Sequence, residues 1–166
     1  MADLLKQTAE LLNQNAKLKK EENEEILQLV SFTIGKEEFA VDILIVQEII
    51  RFIQCTKVPN VPKYVDGVIN LRGKVIPVVN LRYKLGMQRK EADQNSRIIV
   101  VETNGVIIGF LVDAVKEVLR IPVSITEAPP PMISGVSSEY ISSVGKLKDR
   151  LLILLNTNKV LENVKL

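Results

Sequence analysis

The sequence predicts an all-β protein built as a pair of small barrels. Three observations carry this prediction: apolar and polar residues alternate in short runs, Gly, Pro and Asn separate the runs, and one block of the chain recurs. Alternation with period two is typical of strands, because successive side chains of a strand lie on opposite faces. Many short strands between turns favour a closed or nearly closed arrangement.

Residues 1 to about 26 form a charged tail without Gly, Pro or an aromatic residue. Their leucines follow a helical stripe with a spacing of seven, at Leu4, Leu11 and Leu18, with Leu5 and Leu12 beside them. An isolated helix of this length is marginal in water. The tail is therefore predicted to be helical or disordered, and either solvated or docked on a barrel or a partner.

Period-two alternation begins at Leu27 and is followed by further short strand-like runs as far as Leu155. A first hairpin turns at Gly35-Lys36. The predicted strands span 27–34, 38–41, 46–51, 68–71, 75–81, 98–102, 106–112, 118–121 and 151–155. Pro77 lies within one of these runs, and it fits an edge strand or a bulge because it has no N–H to donate.

An internal repeat underlies these strands. Val46–Arg51 resembles Val115–Arg120, Tyr64-Val65 matches Tyr140-Ile141, and Val75–Asn80 matches Leu151–Asn156. Equivalent residue numbers differ by 69 before a proline-bearing loop and by 76 after it, so the second copy has the longer loop. Each copy of about 65 residues is small for an independent core. We therefore expect two barrels in one body, with a groove between them.

The composition argues against catalysis and against nucleic-acid binding. The 166 residues include no His, no Trp and one Cys, Cys55, and the net charge is +2. The usual general base, the usual metal ligand and the aromatic platforms for nucleobases are therefore missing or scarce. Acidic residues are interpreted as solvated charges or turn residues, because no nucleophile or metal cluster accompanies them: Asp42, Glu48, Asp66, Asp113 and Glu117.

One charged pair is a candidate for a functional role. Glu48 interrupts the apolar stretch 46–50, and period two places Val46, Glu48 and Ile50 on one face. Arg72 precedes a turn glycine and is a plausible bidentate partner for Glu48. The pair is either a surface ion pair or a binding hot spot. Arg82 is interpreted as a surface charge at a strand end.

Several motifs resemble those of CheW-type bacterial chemotaxis coupling proteins. They are Phe-Ala-Val-Asp-Ile-Leu-Ile-Val-Gln-Glu-Ile at 39–49, Gly-Val-Ile-Asn-Leu-Arg-Gly at 67–73, Ile-Pro-Val-Val-Asn-Leu-Arg at 76–82, Val-Asp-Ala-Val at 112–115 and Asp-Arg-Leu-Leu-Ile-Leu at 149–154. The resemblance covers about residues 28 to 160. The tail at 1–26 is longer and more charged than expected for the family.

The resemblance implies two SH3-like five-stranded barrels that share a core, with short helical turns. The predicted CheW-like domain spans 27–160, with the first barrel at about 38–92, the second at about 27–35 plus 96–157, and a C-terminal tail at 158–166. It also implies a non-catalytic, cytoplasmic adaptor without a cofactor. Such an adaptor couples the signalling tips of chemoreceptors to the regulatory domain of the histidine kinase CheA, is a monomer when free, and joins a larger array at membrane-bound receptors.

The receptor contact of the family lies in the groove between the barrels. Carried over by position, the receptor-binding candidates are Val46, Glu48, Gly67, Arg72, Gly109 and Val118. The kinase contact is expected at the apolar end of the first barrel, without assigned residues. Two alternatives remain open: a scaffold in a receptor–kinase pathway other than chemotaxis, and, more distantly, a small nucleic-acid-binding barrel.

Overall fold

A computed structural model describes residues 3–11, 24–162 and 164 of the chain. The strands are β1 Ile26–Ile34, β2 Glu37–Asp42, β3 Val46–Arg51, β4 Val65–Leu71, β5 Lys74–Asn80, β6 Arg97–Thr103, β7 Val106–Val112, β8 Ala114–Pro122, β9 Thr126–Glu127, β10 Met132–Ile133, β11 Val136–Ser137, β12 Ile141–Lys146 and β13 Leu151–Leu155. The helices are α1 at 3–11, α2 Leu81–Lys84 and α3 Thr157–Leu161. Short 3-10 turns cover Ile43–Ile45, Val123–Ile125 and Ser138–Tyr140.

The strands form two main sheets, which confirms the predicted all-β pair. The first barrel is a five-stranded sheet in the order β3-β6-β7-β5-β4. The second barrel has the order β8-β1-β2-β13-β12-β9, in which the two-residue strand β9 adds a sixth member to the expected five. Strands β10 and β11 form a separate hairpin in the longer loop of the second copy.

The predicted barrel ranges divided the strands differently from these sheets. Residues 38–42 were placed in the first barrel but belong to the second, where β2 pairs in parallel with β13. Residues 97–112 were placed in the second barrel but belong to the first, where β7 pairs in parallel with β5. The leading hairpin of each repeat therefore completes the barrel of the other repeat, a long-range pairing that local patterns do not specify.

One apolar core lies between the barrels and belongs to both. Phe32 and Phe39 from the second barrel and Ile99 and Phe110 from the first are fully buried in the same cluster. Smaller clusters fill the inside of each barrel, around Leu152 in the second and Ile98 in the first. Because large side chains from both sheets share the central cluster, the barrels form one packed body.

The helices after β5 and β13 confirm the internal repeat. The Asn80 side chain caps α2 and the Asn156 side chain caps α3, each by accepting a hydrogen bond from the third backbone N–H beyond it. The backbone N–H of Asn80 donates to Tyr64 O at 2.7 Å, and that of Asn156 donates to Tyr140 O at 2.9 Å. The predicted C-terminal tail at 158–166 thus begins inside a helix whose Val160 is fully buried.

The amino-terminal helix α1 makes no docking contact through its described side chains. All residues from 3 to 11 are exposed, including Leu4, Leu5 and Leu11. The helical prediction is confirmed over this range, and the solvated alternative describes it better than docking on a barrel. Leu12 and Leu18 lie outside the described residues.

Arg82 joins the two barrels, so its interpretation as a surface charge was wrong. Its side chain on α2 is 14% exposed and binds Asp113 bidentately, with Nε–Oδ1 at 2.8 Å and Nη2–Oδ2 at 2.5 Å. Asp113 Oδ2 also accepts the Gly35 N–H of the β1–β2 turn at 2.8 Å. Burial raises the pKa of the Asp113 carboxyl, but Arg82 and the Gly35 amide outweigh burial and hold that pKa below its usual value.

Candidate protein-interaction site

Arg72 lies in the tight turn between β4 and β5. Leu71 pairs with Lys74, so the loop consists of Arg72 and Gly73, and both have positive φ, at 52° and 82°. This is the geometry of a type I′ turn, which favours Asn or Gly over a long side chain. The Asn70 side chain accepts the Gly73 N–H at 3.0 Å and fixes the turn. The turn therefore holds the Arg72 guanidinium at the rim of the first barrel, in a backbone conformation that is unfavourable for arginine.

The predicted ion pair between Arg72 and Glu48 is present. Arg72 Nη2 donates to Glu48 Oε2, with the arginine side chain 69% exposed and the glutamate side chain 30% exposed. The β4–β5 turn supplies the cation and β3 supplies the carboxylate, so the pair bridges two edges of the same sheet. An exposed pair contributes roughly 0–1 kcal/mol to stability. A guanidinium whose side chain is 69% exposed is suited to binding a partner.

A bulge corrects the predicted face of β3. Val46 pairs with Val101 and Glu48 with Val100, so Gln47 is the extra residue. Val101 belongs to the core between the barrels and Val100 to the cluster inside the first barrel. Val46 therefore packs against the shared core, whereas Glu48 is on the face of β3 that is turned toward the inside of the first barrel. The two residues do not share one face.

Glu48 and Arg72 border a depression of about 160 Å³ at the mouth of the first barrel. Its floor is apolar and its rim is polar. The lining consists of Gln47, Glu48, Leu71, Arg72, Lys74, Ile76, Val100 and Ile107. We call this depression the barrel mouth.

An apolar seam adjoins the barrel mouth. Strands β5 and β7 pair only from Val78↔Gly109 onward, so they separate at Pro77, which has no N–H to donate. The gap has a volume of about 650 Å³ and is flanked by Val75 at 64% and Val106 at 51% exposure. It shares Lys74, Ile76 and Ile107 with the barrel mouth. Exposed apolar side chains beside unpaired strand edges are typical of a protein-binding surface.

Gly67 and Gly109 are buried and present no side chain to a partner. Gly67 has φ 144°, and an added Cβ would lie 2.8 Å from the Thr56 carbonyl carbon and closer still to its oxygen. A Cβ at Gly109 would lie 2.7 Å from Ile98 Cγ2 inside the first barrel. Both predicted site residues therefore allow close packing of their neighbours. They shape the surface by keeping the strands in place and do not contact a partner through a side chain.

Val118 lies on the edge strand β8. Its counterpart in the repeat is Ile49, which was not among the predicted site residues. Val118 pairs with Val30, and Ile49 on the edge strand β3 pairs with Ile99. Val30 and Ile99 both belong to the shared core, while Val118 and Ile49 are among the exposed apolar side chains. The matching numbers of Ile49 and Val118 in the repeat were the signal that could have identified Ile49.

A polar cavity of about 360 Å³ lies elsewhere on the first barrel, lined by Cys55, Asp66 and Asn80 among others. Burial, together with the nearby Asp66, raises the pKa of the Cys55 thiol to about 11. Burial also raises the pKa of Asp66, although a hydrogen bond from Asn80 and the charge of Arg89 oppose it. A thiol with this pKa is protonated near neutral pH and is a poor nucleophile.

Two searches of the described residues bear on other classes of site. Within 3–11, 24–162 and 164, no group of three or more His, Cys, Asp and Glu side chains is arranged to hold a metal ion. No helix in the same ranges is long and apolar enough to cross a membrane.

The fold and the site define a two-barrel protein with an exposed surface suited to protein partners, formed by the barrel mouth and the adjoining seam. Comparison with known proteins identifies its family. The sequence model of the CheW-like domain matches residues 28–165. The chain belongs to the CheW-like family.

Named relatives cover most of the chain. The chemotaxis protein CheW of Helicobacter pylori is 39% identical over 87% of this chain and 87% of its own length. The chemotaxis protein CheW of Klebsiella aerogenes is 35% identical over 82% of each chain. The crystal structure of the scaffolding protein TtCheW from Thermoanaerobacter tengcongensis superposes with a TM-score of 0.78 at 34% identity, covering 85% of this chain and 97% of that one.

Proposed function

We propose that this protein is a non-catalytic chemotaxis adaptor that couples the signalling tip of a chemoreceptor to the regulatory domain of the histidine kinase CheA. The observation that carries the proposal is the exposed Arg72–Glu48 pair at an apolar barrel mouth, next to an apolar seam. The names of the relatives, chemotaxis proteins and a scaffolding protein, support this role. The adaptor acts in the cytoplasm, where receptor clusters recruit it.

The receptor contact is proposed to centre on Arg72 and Glu48, with Ile49 and Val118 as apolar contacts beside the shared core. Receptor tips are helical, and a helix face binds through a few apolar anchors and a polar rim. Arg72 supplies the polar contact because most of its side chain is exposed. Truncation of an arginine at such a contact typically costs about 2 kcal/mol or more of binding free energy.

The kinase contact is proposed at the apolar seam, with Val75 and Val106 as its exposed anchors. The regulatory domain of the kinase has the same barrel fold in the family that this chain resembles, so an apolar barrel end can pack on an apolar barrel end. Burial of apolar surface contributes roughly 25 cal/mol per Å². Among the described residues that line the seam, Lys74 is the one charged side chain.

The proposed mechanism is positional. The barrel mouth and the seam share Lys74, Ile76 and Ile107, so the receptor and kinase contacts adjoin on one packed body. A receptor in a different signalling state holds this body differently and thereby shifts the population of active kinase. Because the barrels share a core, the adaptor transmits the change as a unit.

The test is a binding experiment with Arg72→Asn. Asn-Gly is the preferred pair in a type I′ turn, so this variant removes the cation while keeping or improving the turn. We expect the affinity for a receptor signalling fragment to fall by about tenfold or more, the change that corresponds to about 1.4 kcal/mol. The matched control is Lys36→Asn, which removes a cation from the β1–β2 turn of the second barrel. Equal affinities for Arg72→Asn and wild type would contradict the receptor assignment.

The kinase contact has its own variant. Val106→Glu places a charge in the seam at an exposed position, so the fold should tolerate it. We expect the affinity for the kinase regulatory domain to fall by about tenfold or more, because docking would bury the new carboxylate. Receptor binding by this variant should stay within about threefold of wild type. An affinity for the kinase regulatory domain equal to that of wild type would contradict the assignment of the seam as the kinase contact.

A further inference from the structure

Two arginines border a depression at the carboxyl end of β3. The depression has a volume of about 430 Å³. Arg51 and Phe52 line one side, and residues 93–97, which lead into β6, line the other. None of these described residues lines the barrel mouth or the seam, so the depression is separate from both proposed contacts. We call it the arginine depression.

The two arginines form a like-charge pair. Arg51 and Arg97 are directly opposite each other on β3 and β6. Side chains in such a pair have Cβ atoms roughly 4.5–5.5 Å apart, and like charges there are destabilising. In the described part of the chain, no ion pair joins either arginine to a carboxylate. Arg97 Nη1 donates to the Gln94 and Ser96 carbonyls, each at 2.9 Å, which holds this guanidinium at the depression.

Asp93, which also lines the arginine depression, has partners of its own. Its Oδ1 accepts the Asn95 N–H at 2.8 Å, and its Oδ2 lies 3.5 Å from Lys90 Nζ. Lys90 therefore offsets the charge of Asp93, and the charges of the two arginines remain. A bound anion would remove the repulsion between them.

The internal repeat shows that the second copy lacks this arrangement. Where the first copy pairs two arginines, the second pairs Arg120 with Gln28. Phe52 is 36% exposed, whereas its equivalent Ile121 is 3% exposed and belongs to the apolar cluster inside the second barrel. The fold therefore requires neither the second arginine nor the exposed aromatic ring.

We infer that the arginine depression binds the phosphate group of a small organic phosphate, with the guanidinium groups of Arg51 and Arg97 on the phosphate and the organic part against Phe52. Guanidinium forks match phosphate oxygens bidentately, and a phosphate monoester has three free oxygens and up to two charges for two arginines. The face of an aromatic ring suits a flat organic group. Sites for small molecules have volumes of about 300–1,000 Å³, which includes this depression.

The phosphate group of a lipid has the same chemistry, so the test distinguishes the two sources. The inference goes beyond the proposed adaptor function and does not depend on it.

The first test titrates the full chain, labelled with ¹⁵N, with adenosine monophosphate and with inorganic phosphate. We expect the backbone amides of residues 93–97 to shift. Arg97→Gln, which introduces the residue of the second copy, should lower both affinities by about tenfold or more. The matched control is Arg120→Gln, which removes the equivalent of Arg51 from the second barrel and should stay within about twofold of wild type. Equal affinities for Arg97→Gln and wild type would overturn the inference.

Urea unfolding separates binding from a structural role. Because Arg97→Gln removes a like-charge pair, its free energy of unfolding should equal or exceed that of wild type. A less stable Arg97→Gln would assign the arginine to the loop at 93–96 and would overturn the inference, unless the second variant, Arg51→Gln, also lost about tenfold in affinity at wild-type stability.

Two further arms identify the organic part and the source of the phosphate. Phe52→Leu should lower the affinity for adenosine monophosphate by about fivefold or more and leave that for inorganic phosphate unchanged. An unchanged affinity for adenosine monophosphate would overturn the role of Phe52. Binding to phosphatidylglycerol vesicles that Arg97→Gln abolishes, without binding of either soluble probe, would support the site with a lipid headgroup as its source. Absence of binding to all three probes would overturn the inference and leave the adaptor proposal in place.

Discussion

The contact between Arg82 and Asp113 gives the sharpest prediction about stability. Replacing Arg82 with alanine leaves Asp113, whose side chain is 17% exposed, without its cation. Removal of one partner from a buried ion pair costs about 3–5 kcal/mol, since the other charge stays desolvated. Asp113 retains the Gly35 N–H, so we expect the lower end of that range, about 3 kcal/mol.

Urea unfolding followed by circular dichroism measures this loss. The matched control is Lys146→Ala, which breaks the exposed pair with Glu127 and should cost roughly 0–1 kcal/mol. A double-mutant cycle with Asp113→Ala should give a coupling energy of at least about 1 kcal/mol, because the pair is bidentate and partly buried. A loss for Arg82→Ala as small as that for Lys146→Ala would refute the role of Arg82 in joining the barrels.

The same pair has a definite pH dependence. The pKa of Asp113 is lower in the folded protein than in the unfolded chain, so the ionised carboxylate adds stability that is fully present above the unfolded pKa. This contribution is lost as the pH falls through the folded pKa. The difference in unfolding free energy between wild type and Arg82→Ala should therefore shrink when the pH is lowered from 7 to below about 4. A constant difference would show that the Asp113 charge is not involved.

Three further predictions concern the first barrel. Gly67→Ala should destabilise the fold by about 3 kcal/mol or more, because the added Cβ would clash with the Thr56 carbonyl and the backbone there has a conformation that suits glycine. Urea unfolding measures this loss, and a value below about 1 kcal/mol would contradict the prediction. Asp66→Asn should stabilise the protein at pH 7 but not at pH 3. The pKa of Asp66 is raised in the folded protein, so the contribution of this carboxyl to stability is fully present below its unfolded pKa and is lost as the pH rises through its folded pKa. The Cys55 thiol, with a pKa of about 11, should react with a disulfide reagent at pH 8 far more slowly in the native protein than in urea, and equal rates would contradict its burial.

Much of the fold was predictable because its elements are local. Period-two alternation identified every strand of five or more residues in the first barrel, and the repeat identified the match between Tyr64 and Tyr140 that the hydrogen bonds to Asn80 and Asn156 now confirm. The exchange of hairpins between the barrels was missed, because it depends on parallel pairing between strands far apart in the chain. Alternation is the same whichever barrel a hairpin completes.

The candidate site shows the same division between local and long-range features. The ion pair between Glu48 and Arg72 was predicted correctly from charge and position. The bulge at Gln47 was missed because an extra residue leaves no signature in an apolar run, so Val46 was assigned to the wrong face. Arg82 was misjudged because its partner Asp113 lies on another element, which only the packed barrels bring into contact.

The central claim is that this protein holds a kinase and a receptor together, and one co-sedimentation experiment tests it directly. Vesicles bearing a chemoreceptor are mixed with the kinase regulatory domain, with and without the full chain, and pelleted. We expect the regulatory domain in the pellet only when the chain is present. We expect Arg72→Asn and Val106→Glu each to reduce the recruited amount strongly, in line with the loss of affinity of about tenfold or more at the contact that each variant changes. A regulatory domain that stays in the supernatant with wild-type protein, under conditions where the vesicles retain the receptor, would contradict the account.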